Sequence, residues 1–92
     1  MDMKETQALI AEECDSIKEL LLEKNRNYGN AALEPMRVFS KANAEEQILV
    51  RCDDKLNRIK SGNTGGDEDT IKDLIGYLIL LRVCRKMNKP KA

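Results

Sequence analysis

The sequence predicts an all-α fold, a small bundle of three main helices completed by homo-oligomerisation. Three observations predict it. The 92 residues include only three aromatics and two prolines, a composition that suits helices better than a sandwich. Apolar residues recur at steps of three and four in three separate stretches. Helix-starting and helix-stopping residues bracket those stretches.

The first helix is expected from about Glu5 to Tyr28. Ile10, Cys14, Ile17, Leu21 and Tyr28 fall on one face, and Leu20 and Leu22 widen the stripe. Gly29 follows as the residue able to take a left-handed conformation at the helix end. The connector "NAALEPMRVFSKA" comes next. Pro35 keeps Glu34 out of helix. Leu33, Met36, Val38 and Phe39 are apolar enough that the connector is expected to lie across the helices and close one end of the core.

The second helix opens on a capping box, Asn43 with Glu46 three residues later. Its expected apolar face is Ile48, Leu49, Cys52, Leu56 and Ile59, and it ends near Ser61. Residues 62–68 read as a flexible glycine-rich, acidic loop. The third helix starts between Asp67 and Thr70, where acids suit the positive end of the helix dipole. Ile71, Leu74, Ile75, Leu78, Leu81 and Val83 carry it, and Ile79 and Leu80 make it apolar almost all round. Three helices cannot cover such a helix on every side, hence the expected homo-oligomer. Gly76 makes sense where another helix packs closely. Residues 86–92 form a basic tail, expected to fray. No repeat or second domain is visible, so residues 1–92 are read as one domain.

Sixteen basic and sixteen acidic residues cancel. No global charge attracts duplex nucleic acid or an anionic membrane, and neither is an expected partner. The chain has no histidine, which removes the commonest metal ligand and general base. Cys14, Cys52 and Cys84 lie in no CxxC pattern and in the apolar register of their helices; they read as small core residues. An odd cysteine count and an N-terminus without a signal-like apolar core point to the cytoplasm, the host cell's if the chain is phage-encoded.

The candidate site residues lie on polar strips beside the apolar ones. Arg51, Asp54, Lys55 and Arg58 fall at i, i+3, i+4 and i+7 on the second helix. The ordinary reading is a solvated face with weak pairs of ~0.3–0.5 kcal/mol. The functional reading is a phosphate-facing strip, because guanidiniums offer planar forks of donors. Asp69, Asp73 and Tyr77 share a face of the third helix. Acids are favourable near a helix start in any case; as a pair one turn apart, Asp69 and Asp73 could also share magnesium, with Glu12 and Glu13 adding ligands. Lys24, Asn25, Tyr28 and Asn30 end the first helix. Tyr28 is either an ordinary aromatic at a helix end or a stacking platform worth ~1–3 kcal/mol per base.

Taken together, "EKNRNYGN", "RCDDKLNRIKSG" and "EDTIKDLIGYLILL" resemble small phage and prophage proteins of the nucleotide-modification-associated type. There a Lys-Asn-x-x-Tyr-Gly element precedes a Lys-x-x-Arg-Ile helix and an acidic helix ending in Gly/Asn-Tyr. The resemblance covers roughly Glu12 to Leu81. More distantly, the layout is similar to the MazG-like all-α nucleoside triphosphate pyrophosphohydrolases. In that family acidic helices bind magnesium and split the substrate between its α and β phosphates, usually in dimers or tetramers. The chain departs from that family's Glu-Glu-x-x-Glu and Glu-x-x-Asp patterns. Ser16 stands where the third acid belongs, and Asp69 and Asp73 are four apart rather than three.

The resemblance implies a binder that holds a phosphorylated or cyclic nucleotide in an inter-helix or inter-subunit groove without turnover, sequestering a host defence signal and needing no cofactor. Its expected wall is Lys24, Asn25, Tyr28, Asn30, Arg51, Asp54, Lys55, Arg58 and Tyr77. Two other readings stand beside it. One is a magnesium-dependent pyrophosphohydrolase using Asp69, Asp73, Glu12 and Glu13. The other is a helical module that grips another protein.

Overall fold

The computed structural model describes residues 1–62 and 69–89. Most of the expected loop, and the last three residues of the tail, lie outside them. The helices are α1 (Met3–Tyr28), α2 (Ala44–Lys60) and α3 (Thr70–Met87), and no strand occurs among the described residues. No described helix is long and apolar enough to cross a membrane.

Each helix starts on a side-chain cap. Asp2 accepts from the Glu5 amide at 2.7 Å, Asn43 from the Glu46 amide at 2.9 Å, and Asp69 from the Lys72 amide at 3.0 Å. Each bond satisfies one of the amides that a helix start leaves without an internal partner. The Asp2 cap moves the start of α1 two residues ahead of the expected position.

α2 and α3 form an antiparallel hairpin. Glu45 meets Arg85 at one end (2.9 Å) and Lys55 meets Asp73 nearer the other (3.5 Å). Ile48, Cys52, Leu81 and Cys84 make the buried core between them. α1 runs parallel to α3. Ser16 accepts from the Lys72 ammonium at 2.7 Å, and five residues on, Leu21 packs over Gly76. Only Ile17 of α1 is buried.

Several expected positions shift. The covered face of α2 is Ile48, Cys52 and Lys55, while Leu56 and Ile59 are exposed. α3 meets α2 one helical step round from the most apolar stripe, and Lys55 is buried because Asp73 stands opposite it. The connector does not close the core. Leu33 packs against it, held by a turn in which the Leu33 and Glu34 amides donate to the Asn30 carbonyl. Beyond half-buried Pro35 the chain runs off the hairpin, leaving Met36, Val38 and Phe39 (97% accessible) exposed. Cys52 and Cys84 are core residues, as expected, but Cys14 is exposed, because α1 extends past the start of α3 there. Burial pushes the Cys52 thiol up, with the Asp53 carboxylate adding to the effect, so it stays protonated at neutral pH.

Candidate functional site

A groove of about 230 Å³ lies between the C-terminal half of α1, the turn that follows it, and the middle of α3. Its existence follows from one residue. Gly76 is buried, and a Cβ there would stand 3.3 Å from Leu21 Cδ2. The missing side chain lets α1 approach α3 at that point. The helices then enclose a space towards Tyr28, where the chain turns away.

Leu20, Leu21 and Lys24 form the α1 wall, and Asp73, Tyr77 and Leu80 the α3 wall. Ala31, Ala32 and Leu33 close the end. Most of the lining is apolar. Tyr28 sits at the rim, 73% exposed, and Tyr77 is half-buried against the core. Two tyrosines and one ammonium, that of Lys24, therefore border an otherwise apolar space. Such a space takes a flat, partly apolar group and has one place for a negative charge at its edge.

The end of the groove is a built turn. Gly29 has φ of +64° and ψ of −148°, a region that side chains with a Cβ rarely occupy. Its amide donates to the Asn25 carbonyl at 2.8 Å. The Asn25 side-chain amide donates to the Gly29 carbonyl at 3.1 Å and to Asn30 Oδ1 at 2.9 Å. Asn25 and Asn30 thus hold the turn that places Tyr28, rather than standing as two independent ligand groups. A side chain at position 29 would touch nothing within 4 Å, so its cost is the backbone's own. Gly29→Ala is expected to lower stability by about 1–3 kcal/mol, read as the shift in denaturant midpoint; a midpoint equal to wild type would show that the turn relaxes freely.

Of the residues singled out from sequence, Lys24, Asn25, Tyr28, Asn30, Asp73 and Tyr77 meet at this groove. The α2 strip does not. Arg51, Asp54 and Arg58 are exposed and none lines the groove. Lys55, buried to 9% accessibility, reaches it only through its 3.5 Å pair with Asp73. α3 lies between α1 and α2, so a strip on α2 cannot share a wall with Tyr28. Ala31 and Ala32 line the groove as well, and the sequence signal for them is a pair of small residues one position beyond the Tyr28-Gly29 stop, after Asn30.

The four acidic candidates do not converge on one point. Asp69 caps α3, Asp73 faces Lys55, and Glu12 and Glu13 lie on the exposed part of α1. Among the described residues, no group of three or more His, Cys, Asp or Glu side chains is placed to hold a metal ion. No protein-family model, curated protein or solved structure matches the chain.

Proposed function

We propose that the protein binds a nucleotide, phosphorylated or cyclic, in the groove between α1 and α3, and holds it without turnover. One observation carries the reading: Tyr28, Tyr77 and Lys24 converge on an apolar groove, a stacking ring and a cation beside a space that takes a flat group. The volume bears on the mode. About 230 Å³ is below the ~300–1,000 Å³ of sites that enclose a whole drug-sized ligand. The base enters the groove and stacks on Tyr28, and the phosphates stay at the rim near Lys24. A protein that binds in this way acts by sequestration, lowering the free concentration of its ligand.

The test is a thermal-shift screen against nucleoside triphosphates, cyclic dinucleotides and cyclic ADP-ribose isomers, with and without magnesium. A ligand at 100-fold over its Kd adds about 2.7 kcal/mol, which for a domain of this size raises the Tm by roughly 10 °C or more. At least one nucleotide is expected to give such a shift. Tyr28→Ala is expected to weaken binding by the ~1–3 kcal/mol of a lost stacking contact, while Arg51→Ala leaves it unchanged. If no nucleotide moves the Tm, or if Tyr28→Ala and Lys24→Ala both leave the shift intact, the reading is wrong. Release of pyrophosphate from any of the triphosphates would replace it with the hydrolase.

A further inference from the structure

The N-terminal half of α1 is exposed, with no described residue covering it. Residues 1–15 are all exposed. Yet they carry on the seam that binds α1 to α3. Ile17 and Leu21 face α3, and Cys14, Ile10 and Met3 extend the same line at helical spacing. Because α1 and α3 are parallel and Ser16 already stands beside Lys72 near the start of α3, residues 3–14 project beyond the hairpin as a free arm. Ile10 in its middle is 58% exposed.

A second uncovered face lies on α3. One side of α3 meets α2 through Leu81 and Cys84, and another meets α1 through Gly76. The third side carries Ile71, Ile75 and Leu78 in line, with Ile79 beside them and Arg82 at the end. All are exposed, Ile71 to 61%. Arm and stripe match in length: Met3 to Cys14 and Ile71 to Arg82 each span eleven steps, about 17 Å of helix. The arm's tip carries Asp2 and Glu5 beside Lys4, with Glu12, Glu13 and Asp15 at its other end, whereas residues 78–89 hold four bases and no acid.

The whole protomer has the surface of an unfinished body. Its accessible area is 7610 Å², against about 5,400 Å² for a compact monomer of 10.4 kDa. Its radius of gyration is 15.5 Å, against about 12 Å for a closed domain of this length. The excess of about 2,200 Å², to which the exposed connector also contributes, leaves room for the ~800 Å² per partner of a standard interface.

We infer that a second copy of this chain covers these surfaces, the α1 arm of each protomer lying antiparallel along the Ile71–Ile79 stripe of its partner's α3 in a two-fold dimer. A two-fold axis requires the antiparallel register, because α1 and α3 are parallel within a protomer, and it sets Asp2 and Glu5 at the tip of the arm against the partner's basic α3 end. Two arms packed on each other would instead bring acid against acid. The contact is isologous and closes on itself, so it stops at two copies.

Light scattering on the purified protein should give about twice the 10.4 kDa chain mass. Ile10→Glu and Ile75→Glu alter exposed side chains outside the core. Each should return the mass to one chain, with the helical circular dichroism of the wild type. The pairing itself is read by cross-linking in a Cys14→Ser background. With a short bismaleimide, Ile10→Cys together with Ile75→Cys should give covalent dimers in far higher yield than either single variant. A wild type that stays monomeric at 100 μM sinks the inference, as does a dimer that survives both glutamate variants. Equal dimer yield from Ile10→Cys alone would place arm on arm and overturn the proposed pairing. Nucleotide binding does not enter these measurements, so this inference and the function proposed above fail separately.

Discussion

Gly76→Leu is expected to release α1 from α3 and to abolish the groove with it. Leu21 already stands 3.3 Å from the point a Cβ would occupy, and a leucine needs space for three further carbons. Overpacking of this kind costs about 1–3 kcal/mol, but here the damage is directed. The α2–α3 core of Ile48, Cys52, Leu81 and Cys84 is on another side of α3 and stays intact. α1 has only Ile17 buried, so little else holds it. The expected result is loss of any nucleotide-induced thermal shift, together with rapid proteolysis within α1 and a protease-resistant hairpin. The milder Gly76→Ala tests the same geometry from the other direction. Alanine gains up to about 1 kcal/mol of helix propensity over glycine, and Leu21 must yield by a few tenths of an ångström to allow it. If Gly76→Leu binds nucleotide and resists protease as the wild type does, the close approach of the two helices is not what shapes the groove.

The second large effect belongs to Lys55 and Asp73. Asp73→Ala removes the carboxylate 3.5 Å from an ammonium whose residue is 9% accessible. Stripping one partner from a buried ion pair costs more than the pair itself contributes, because a charge remains in a poorly solvated place. Lys55 has a further interaction, and the Asp73 side chain is 20% accessible. We therefore expect a loss of about 2–3 kcal/mol, below the ~3–5 kcal/mol of a fully buried pair. The double variant Lys55→Met with Asp73→Leu should recover most of that loss, since apolar side chains of similar size replace both charges at once. Urea unfolding of the wild type, both single variants and the double variant gives the coupling directly. A single-variant loss within 0.5 kcal/mol of zero, the range of ordinary surface substitutions, would mean that water reaches Lys55 freely.

These two sites show where a local reading ends. Lys55 sits in sequence among Arg51, Asp54 and Arg58, and its spacing assigns it to a solvated strip. Leu56 and Ile59 are apolar, and their spacing assigns them inward. The structure reverses both, since the side of α2 that is covered depends on where α3 lies. Asp73, eighteen residues away, stabilises Lys55 in the interior. Tyr28 and Tyr77 illustrate the opposite case. Each stands next to a glycine that marks a stop or a close approach, so their part in one groove was legible from Tyr28-Gly29 and Gly76-Tyr77. The α2 arginines belong with them only if every polar strip borders one groove, and α3 separates α2 from α1. The connector misled for a related reason: Met36, Val38 and Phe39 are apolar, but nothing in a short segment says whether a surface is there to receive them.

What the sequence determined by itself is what depends on neighbours three and four residues apart. That includes the three helices, the Asn43 cap, the stop at Gly29 and the apolar circumference of α3. These are backbone hydrogen bonds and side-chain periodicities, complete within a turn or two. Only the tertiary structure decided which of the apolar stripes is covered, that Lys55 goes inside, and that Gly76 opens a groove to Tyr28. It alone decided that α1 overshoots α3 to leave residues 1–15 exposed. Those outcomes depend on the axial offset and rotation of one helix against another. A periodic stripe is compatible with many offsets, and the choice among them comes from contacts between residues far apart in the chain.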